Sequence, residues 1–310
     1  MDRAFVDGVS NDGAPIDSML VEGVSENGAL KDGAPADKTL FDSHAHLNYE
    51  GYTDEERSAV MGRIDSSPVA YVVDVGFDLA SSRQAVADAA ARPWCYAAVG
   101  VHPHDAKGFT SDTLGELREL LRAPKVVALG ETGLDYYRDL SPREAQRDAF
   151  RMQIRLALET GMPIVIHDRD SGGETIRILK EEGAFSDARK AAFPANPETG
   201  APDARVLLHC FSGSAEQAAE YIGLGCTISL AGPVTFSNSK KTVRVAAEIP
   251  LAHLLVETDS PYLTPEPLRG RPNEPVNVEH VARKAAEIRG LPYEGVAAVT
   301  LANARRFFGI

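Results

Sequence analysis

The segment VVALGETGLDYY, residues 126–137, is the best guide to the fold class, because a short apolar run in it leads directly into acidic residues. Four apolar residues are followed at once by Gly130 and Glu131, and Asp135 comes four residues later. Apolar runs that lead into a histidine or an acid recur in IVIHDRD (164–170), VLLHCFSG (206–213) and LLVETDSPYL (254–263). Such strands are typical of a parallel sheet whose functional residues lie along one edge.

On both sides of this segment, short apolar runs alternate with helical stretches from residue 39 onward. The predicted strands are 39–42, 69–75, 96–99, 126–129, 164–166, 206–208, 226–230 and 254–256. The predicted helices are 55–64, 81–91, 113–121, 141–161, 173–182, 215–224, 240–248, 278–289 and about 293–307. Eight buried strands that alternate with helices predict an α/β fold, a TIM-type (β/α)8 barrel.

The helix predicted at 141–161 has the clearest termini. Ser141 and Glu144 match the spacing of a capping box, and Pro142 would occupy the first helical position. Gly161 would end the helix in a left-handed conformation.

Two segments stand apart from the predicted barrel, which spans 39–310. Residues 1–38 contain eight acids, three bases and a glycine-rich pentad repeat, which predict a poorly ordered leader. A weak calcium or partner site is the alternative interpretation of that segment. Residues 184–204 are rich in Ala, Pro and Asp and predict a surface insertion.

Composition excludes several classes of protein. The 310 residues contain no apolar stretch of membrane-spanning length, and the N-terminus lacks a secretory pattern. Three scattered cysteines indicate reduced thiols, so we expect a cytoplasmic protein with no membrane contact and no obligate protein partner. The net charge of −13 excludes a broad basic DNA-binding face, although a metal centre can supply positive charge locally.

The histidines are placed where a barrel carries its chemistry. Only His253 and His280 lie away from the C-terminal ends of predicted strands. The other six are His44, His46, His102, His104, His167 and His209. The acids Glu131, Asp135 and Asp259 follow strands in the same way.

The H-x-H of His44 and His46 indicates metal binding, because residues two apart on a strand face the same side. Each other candidate also has a plain structural alternative when it is taken alone. Glu131 could be a buried salt-bridge partner, either of His167 and His209 a core histidine, and Asp259 a helix N-cap. Together, six such residues follow five predicted strands and would meet at the C-terminal end of the barrel, its mouth. This convergence favours a metal centre over coincidence.

Seven motifs in order give the chain a family resemblance. They are DSHAHL, GVHPH, GETGLDYY, IHDRD, LLHCFSG, ETDSPYL and RPNEP. Together they resemble the TatD family of metal-dependent deoxyribonucleases within the amidohydrolase superfamily, over about residues 39–310. The resemblance implies two divalent ions, Mg²⁺, Mn²⁺ or Zn²⁺, one on His44, His46, Glu131 and Asp259, the other on Glu131, His167 and His209. Glu131 would bridge the two ions.

The resemblance also implies roles around the ions. His102 would face the substrate phosphate or an extra metal, and Arg169 and Arg271 would contact phosphate. Several relatives in the amidohydrolase superfamily bridge their metals with a carboxylated lysine on strand four. Glu131 stands there instead, which argues against a dihydroorotase-like or urease-like site.

The predicted activity is hydrolysis of phosphodiester bonds in DNA by a metal-activated water, with Asp259 as general base. Single-stranded or frayed ends fit a concave mouth, so exonucleolytic cutting of a transiently bound strand is expected. The alternative is a hydrolase of the same superfamily that cleaves a carboxylic ester or amide, such as a D-aminoacyl-tRNA deacylase. A non-catalytic metal-binding scaffold is the third interpretation.

Overall fold

The computed structural model describes residues 38–310 of the chain. The leader predicted over residues 1–38 therefore lies outside the described residues, apart from Lys38. In the described part of the chain, no helix is long and apolar enough to cross a membrane.

Eight parallel strands are hydrogen-bonded in chain order and form a nearly closed barrel. They are β1 (Leu40–Ala45), β2 (Val69–Val75), β3 (Cys95–Val99), β4 (Val126–Asp135), β5 (Ile164–Arg169), β6 (Val206–Leu208), β7 (Cys226–Leu230) and β8 (Leu254–Val256). All residues of β6, β7 and β8 are buried. The prediction of a TIM-type (β/α)8 barrel is confirmed.

Ten α-helices surround the described strands. They are α1 (Asp54–Asp65), α2 (Leu79–Ala91), α3 (Ser111–Leu120), α4 (Arg143–Thr160), α5 (Glu174–Glu181), α6 (Asp187–Ala191), α7 (Ala215–Gly223), α8 (Lys240–Glu248), α9 (Val278–Arg289) and α10 (Tyr293–Phe308). Capping boxes begin α1 at Thr53 and α7 at Ser214, where the cap and the third helical residue bond reciprocally. The predicted helices differ from these bounds by two residues at most.

The capping box predicted at Ser141 and Glu144 was wrong. Helix α4 begins after Pro142 and has no side-chain cap. The Ser141 hydroxyl instead donates to the carbonyl of His104 at 2.6 Å, so a tertiary contact takes the group that the local pattern assigned to the helix. Gly161 does end α4, with φ of 72°.

Strands β4 and β5 extend beyond the apolar runs that predicted them. Their polar ends remain paired, with Gly133 opposite His167 and Asp135 opposite Arg169. At Gly133, with φ of 147°, a Cβ atom would lie 1.9 Å from the carbonyl oxygen of His167. Glycine therefore lets β4 approach β5 closely beside a predicted metal ligand.

The seam between β1 and β8 is held largely by bonds beyond β8. The Asp259 N–H donates to the carbonyl of His44 at 2.9 Å. The His46 N–H donates to the carbonyl of Ser260 at 2.8 Å. Buried Asp42 adds two bonds from Thr258, one from its N–H at 2.9 Å and one from its hydroxyl at 2.5 Å. The seam therefore fixes both predicted ligand segments at the mouth.

The opposite end of the barrel, its bottom, buries an arginine cluster. Asp203 lies 3.5 Å from Nε of Arg205 and 3.9 Å from Nε of Arg306. Buried Arg189 of α6 donates to the carbonyls of Met162 and Ala204, at 2.6 and 3.1 Å. Part of the stretch predicted as a surface insertion, 184–204, thus packs into the barrel bottom.

Candidate metal centre

The predicted ligands converge at the mouth of the barrel from the ends of five strands. His44 lies on β1 and His46 just beyond it, Glu131 lies on β4, and His167 lies on β5. His209 and Asp259 follow β6 and β8. The set is largely buried, with His44 fully so.

The first group of donor atoms gathers around one oxygen of Glu131. Nε2 of His44 lies 3.3 Å from Nε2 of His46 and 3.4 Å from Oε2 of Glu131. Oδ1 of Asp259 lies 3.8 and 3.5 Å from the same two nitrogens. Donors held about 2.0–2.2 Å from one tetrahedral ion would stand about 3.3–3.6 Å apart, so this spacing fits a divalent ion.

The second group surrounds the other oxygen of Glu131. Oε1 lies 2.6 Å from Nε2 of His209 and 2.8 Å from Nδ1 of His167. These two nitrogens are 3.4 Å apart. The two oxygens of one carboxylate thus face two different sets of imidazoles, which is the arrangement a bridging ligand requires.

The hydrogen-bond chemistry of the cluster also fits a cation. Nδ1 of His46 lies 2.8 Å from the carbonyl of Val75, so Nδ1 is the protonated nitrogen and donates to it. In the neutral ring, Nε2 of His46 then presents a lone pair toward Nε2 of His44. Two such nitrogens at 3.3 Å need a proton or a metal ion between them.

The charges in the metal-free cluster are balanced by protons on imidazoles. Burial opposes ionisation of Glu131, but His209 and His167 hold the pKa of its carboxyl well below its usual range. Burial likewise opposes charge on His46, yet contact with Asp259 raises its pKa to about 9. Divalent ions would replace these protons with metal charge.

His102 follows β3 and occupies the edge of the second group. Its Nε2 lies 3.6 Å from Oε1 of Glu131, and one ligand atom each from His102, Glu131 and His167 lie within 4.8 Å of one another. Burial holds the pKa of His102 well below its usual range, which leaves a neutral imidazole. Its Nδ1 accepts the N–H of His104 at 3.1 Å, so Nε2 carries the proton and can donate to an anion.

The two residues predicted to contact phosphate, Arg169 and Arg271, lie outside the two donor groups. Arg169 ends β5, and its guanidinium carbon stands 4.1 Å from the centroid of the Tyr137 ring. Arg271 is exposed on the loop after β8, where its carbonyl accepts a bond from Thr264. Arg169 thus stands on the strand that carries His167, whereas Arg271 belongs to an outer loop.

Asp135 has a role that its sequence position alone did not assign. Its Oδ2 lies 3.3 Å from Nε2 of His167 and 2.8 Å from Nε2 of His104. The N–H groups of Tyr137 and Arg138 donate to Oδ1 at 2.9 and 2.8 Å. Because Glu131 occupies the other nitrogen of His167, Asp135 fixes the orientation of that ring.

Sequence reasoning missed Glu257, which lies fully buried beneath the cluster. Its Oε1 accepts the N–H of Cys210 at 2.7 Å and stands 3.4 Å from Nδ1 of His209. The Ser229 hydroxyl donates to Oε2 at 2.6 Å. The spacing of Glu257 and Asp259 after an apolar run repeats that of His44 and His46, and was the available indication.

Asp259 adopts a left-handed backbone conformation, with φ of 56°. The amide of Asn273, from the RPNEP motif, holds the loop by donating to the carbonyls of Thr258 and Tyr262 at 2.9 and 2.7 Å. The carboxylate keeps 15 % of its side-chain surface exposed, so it contacts both the buried cluster and the mouth.

This fold and donor set define a class, the barrel hydrolases that depend on bound metal. The sequence profile described as "TatD related DNase" matches residues 41–309. The chain is 43% identical over 271 residues to a Bacillus subtilis protein named uncharacterized metal-dependent hydrolase YabD, covering 87% of this chain and 99% of that protein.

Two further relatives extend the comparison. A Pectobacterium parmentieri protein named 3'-5' ssDNA/RNA exonuclease TatD is 34% identical, covering 87% of this chain and 99% of that protein. The crystal structure of the Escherichia coli TatD homologue YjjV superposes with a TM-score of 0.77 at 28% identity, covering 88% of this chain and 99% of that one. The chain belongs to the TatD-related DNase family, as its motifs predicted, and is a metal-dependent hydrolase.

Proposed function

We propose that this protein hydrolyses phosphodiester bonds in DNA with two divalent ions that share Glu131. The observation that carries the proposal is the division of one carboxylate between two imidazole groups, with contacts at 3.4 Å on one oxygen and 2.6 Å on the other. The name of the Pectobacterium relative supports a nucleic-acid substrate.

The ions, when bound, would supply a water of lowered pKa and polarise the phosphoryl oxygens. Asp259 then acts as general base. Burial opposes its ionisation, but His46, His44 and His209 lower the pKa of its carboxyl, so it is a carboxylate at neutral pH. Its partial exposure at the mouth lets it accept a proton from that water.

Arg169 is proposed to neutralise charge on the phosphate, and His102 to donate a hydrogen bond to it. His102 donates from the rim of the second donor group, and Arg169 approaches from the end of β5. Arg271 would contact a phosphate farther along the strand. Four imidazoles among the six proposed ligands favour Zn²⁺ over Mg²⁺ in affinity, while Mn²⁺ also suits the mixed set.

The shape of the site and the charge of the chain favour single-stranded or frayed ends. A free end can bring one phosphodiester into the buried cluster, whereas a stiff duplex cannot. A chain of net charge −13 has little capacity for counterion release along a polyanion. Contacts should be few and local, which favours exonucleolytic cutting.

The test uses end-labelled single-stranded and duplex oligonucleotides with Mg²⁺, Mn²⁺ or Zn²⁺ over a salt series. We expect mononucleotide release from single strands, loss of release with chelator, and a shallow dependence on salt. Absence of cleavage of any nucleic acid, together with efficient hydrolysis of a D-aminoacyl-tRNA or another carboxylic ester, would overturn the proposal.

A further inference from the structure

The exposed large apolar side chains of the described residues occupy only two loops. Tyr137 and Leu140, exposed at 62 % and 55 %, follow β4. Tyr262 and Leu263, exposed at 50 % and 37 %, follow β8. These are also the loops that adjoin Asp135 and Asp259, so the exposed aromatic rings flank the candidate metal centre.

The order of strands places the two loops on opposite sides of the mouth. In a barrel ordered β1 to β8, β4 and β8 stand four strands apart in either direction. A docking face for a folded protein is one contiguous patch, whereas these side chains form two separate patches with the metal centre between them. That arrangement suits an extended ligand that crosses the mouth.

Tyr262 stands directly beside a predicted ligand. Its ring centroid lies 6.1 Å from that of His46 and 5.9 Å from that of Tyr49, at interplanar angles of 68° and 77°. Neither neighbour is stacked parallel on the ring. The backbone of Tyr262 is fixed by bonds to Asp259 and Asn273, at 2.9 and 2.7 Å, so the ring is held in place before a ligand arrives.

Tyr137 carries a cation on its ring. The guanidinium carbon of Arg169 lies 4.1 Å from the ring centroid. The Tyr137 N–H donates to the carboxylate of Asp135 at 2.9 Å, which anchors the residue to the strand end. An aromatic face next to a guanidinium suits a nucleotide, because the ring can stack on a base while the cation attracts the phosphate.

We propose that Tyr262 and Tyr137 stack on the bases of a single-stranded nucleic acid on either side of the cleaved bond. This inference rests on the proposed nuclease function. Tyr262, beside His46, takes a base next to the phosphodiester at the metal centre. Tyr137, on the loop after β4, takes a base on the other side of that centre. Stacking on aromatic rings is tolerant of sequence, and bases in a duplex are not free to reach such rings.

The test compares a single strand of thymidines with a strand of equal length whose residues lack bases. On the thymidine strand, Tyr262→Ala should raise KM about 5- to 150-fold, in line with the loss of one stacked base. On the abasic strand, the wild type and Tyr262→Ala should have the same KM, because neither protein can stack on a base there. Tyr262→Phe retains a ring and should retain the preference for bases.

A matched control and a second measurement separate stacking from structure. Leu140→Ala removes an equally exposed apolar side chain that cannot stack, and should change neither KM nor the preference. With metal removed, a strand carrying 2-aminopurine should be quenched on binding to the wild type and to Tyr262→Phe. The quench should be lost in Tyr262→Ala, and a circular dichroism melt checks that this variant is folded.

Three outcomes would overturn the inference. Equal cleavage of both strands by the wild type would reject stacking and leave the nuclease function intact. The double variant that carries both Tyr137→Ala and Tyr262→Ala provides the second outcome. A change in its oligomeric state, with the preference for bases unchanged, would assign the two rings to contacts between protein chains. No cleavage of either strand would reject the nuclease function and the stacking with it.

Discussion

The two ends of the barrel both bury charged groups but pair them differently. At the bottom, Asp203 pairs with two arginines, and Arg205 also donates to the carbonyl of Phe307 at 2.5 Å. At the mouth, Nε2 of His44 meets Nε2 of His46 at 3.3 Å. Oxygens of a carboxylate and a carbonyl face guanidinium groups at the bottom, whereas two imidazole nitrogens face each other at the mouth.

Because of this difference, we expect the bottom of the barrel to contribute to stability and the mouth to contribute to metal binding and turnover. The bottom pairs a carboxylate with guanidinium groups and needs no cation between them, so removing a partner there should cost folding free energy. The mouth is complete only with protons or cations, so a change there should alter metal content and turnover.

The largest effect is expected from Glu131→Ala, because both donor groups use this carboxylate. Metal content should fall at both sites, and activity should fall at least as far as the about 10⁴-fold upper range for losing a general base. Elemental analysis of the purified variant measures the metals. His44→Ala is the control and should empty mainly one site. Two retained ions in Glu131→Ala protein would reject the bridging role.

Asp259→Asn should lower kcat about 10²–10⁴-fold while KM changes little, because it removes the base while the amide oxygen can still face the ion. Asparagine tolerates the left-handed conformation at φ of 56°, so the backbone should be undisturbed. Steady-state kinetics and a thermal melt decide this. A kcat close to that of the wild type would exclude Asp259 as the base.

Two aspartates provide a matched pair for the two ends. Asp203→Asn should lower the free energy of unfolding by about 1–3 kcal/mol, because two arginines lose their charged partner, and should leave metal affinity unchanged. Asp135→Asn should weaken metal binding about 10- to 100-fold through the freed ring of His167, with a smaller effect on unfolding. Denaturant titration and equilibrium dialysis of both variants measure the two quantities. A loss of metal affinity in Asp203→Asn, together with the larger loss of unfolding free energy in Asp135→Asn, would contradict both expectations.

Metal affinity at the mouth should increase with pH. The pKa of His46 is raised to about 9 in the metal-free protein, so below that pH an ion must displace a proton. Apparent affinity for Mn²⁺ should rise up to about tenfold per pH unit for each proton released and level off above about 9. Calorimetry in buffers of different ionisation enthalpy counts the protons. A flat profile, or the same slope in His46→Ala, would contradict this.

The smallest effect is expected from deleting residues 1–36, the proposed leader. Lys38, kept in the truncated chain, ties the start of β1 to the bottom by donating to the carbonyls of Ile64 and Asp65 at 3.1 and 2.9 Å. Because the chain enters the barrel at the end away from the mouth, we expect no change in melting temperature or turnover. A loss of several degrees or of most activity would show that the segment belongs to the fold or the site.

Apolar runs predicted the barrel because most residues of the eight strands are buried, and strand ends predicted where the polar residues would meet. The polar continuations of β4 and β5 could not be predicted, because pairing between strands, not composition, keeps residues such as Asp135 extended. Partners such as Glu257 and His209 stand 48 residues apart, so only the fold brings them together. The capping box predicted at Ser141 was wrong for the same reason, because its hydroxyl bonds to the carbonyl of His104, 37 residues away in the sequence.

The seam between β1 and the segment after β8 has a consequence for folding. The bond from Asp259 to the carbonyl of His44 joins the first strand of the barrel to the last, 215 residues later. His44 and Asp259 therefore meet only after the two ends of the barrel have found each other. Hydrolytic activity in this protein is a reporter of that final docking step, and a refolding chain should regain it no earlier than its slowest structural phase.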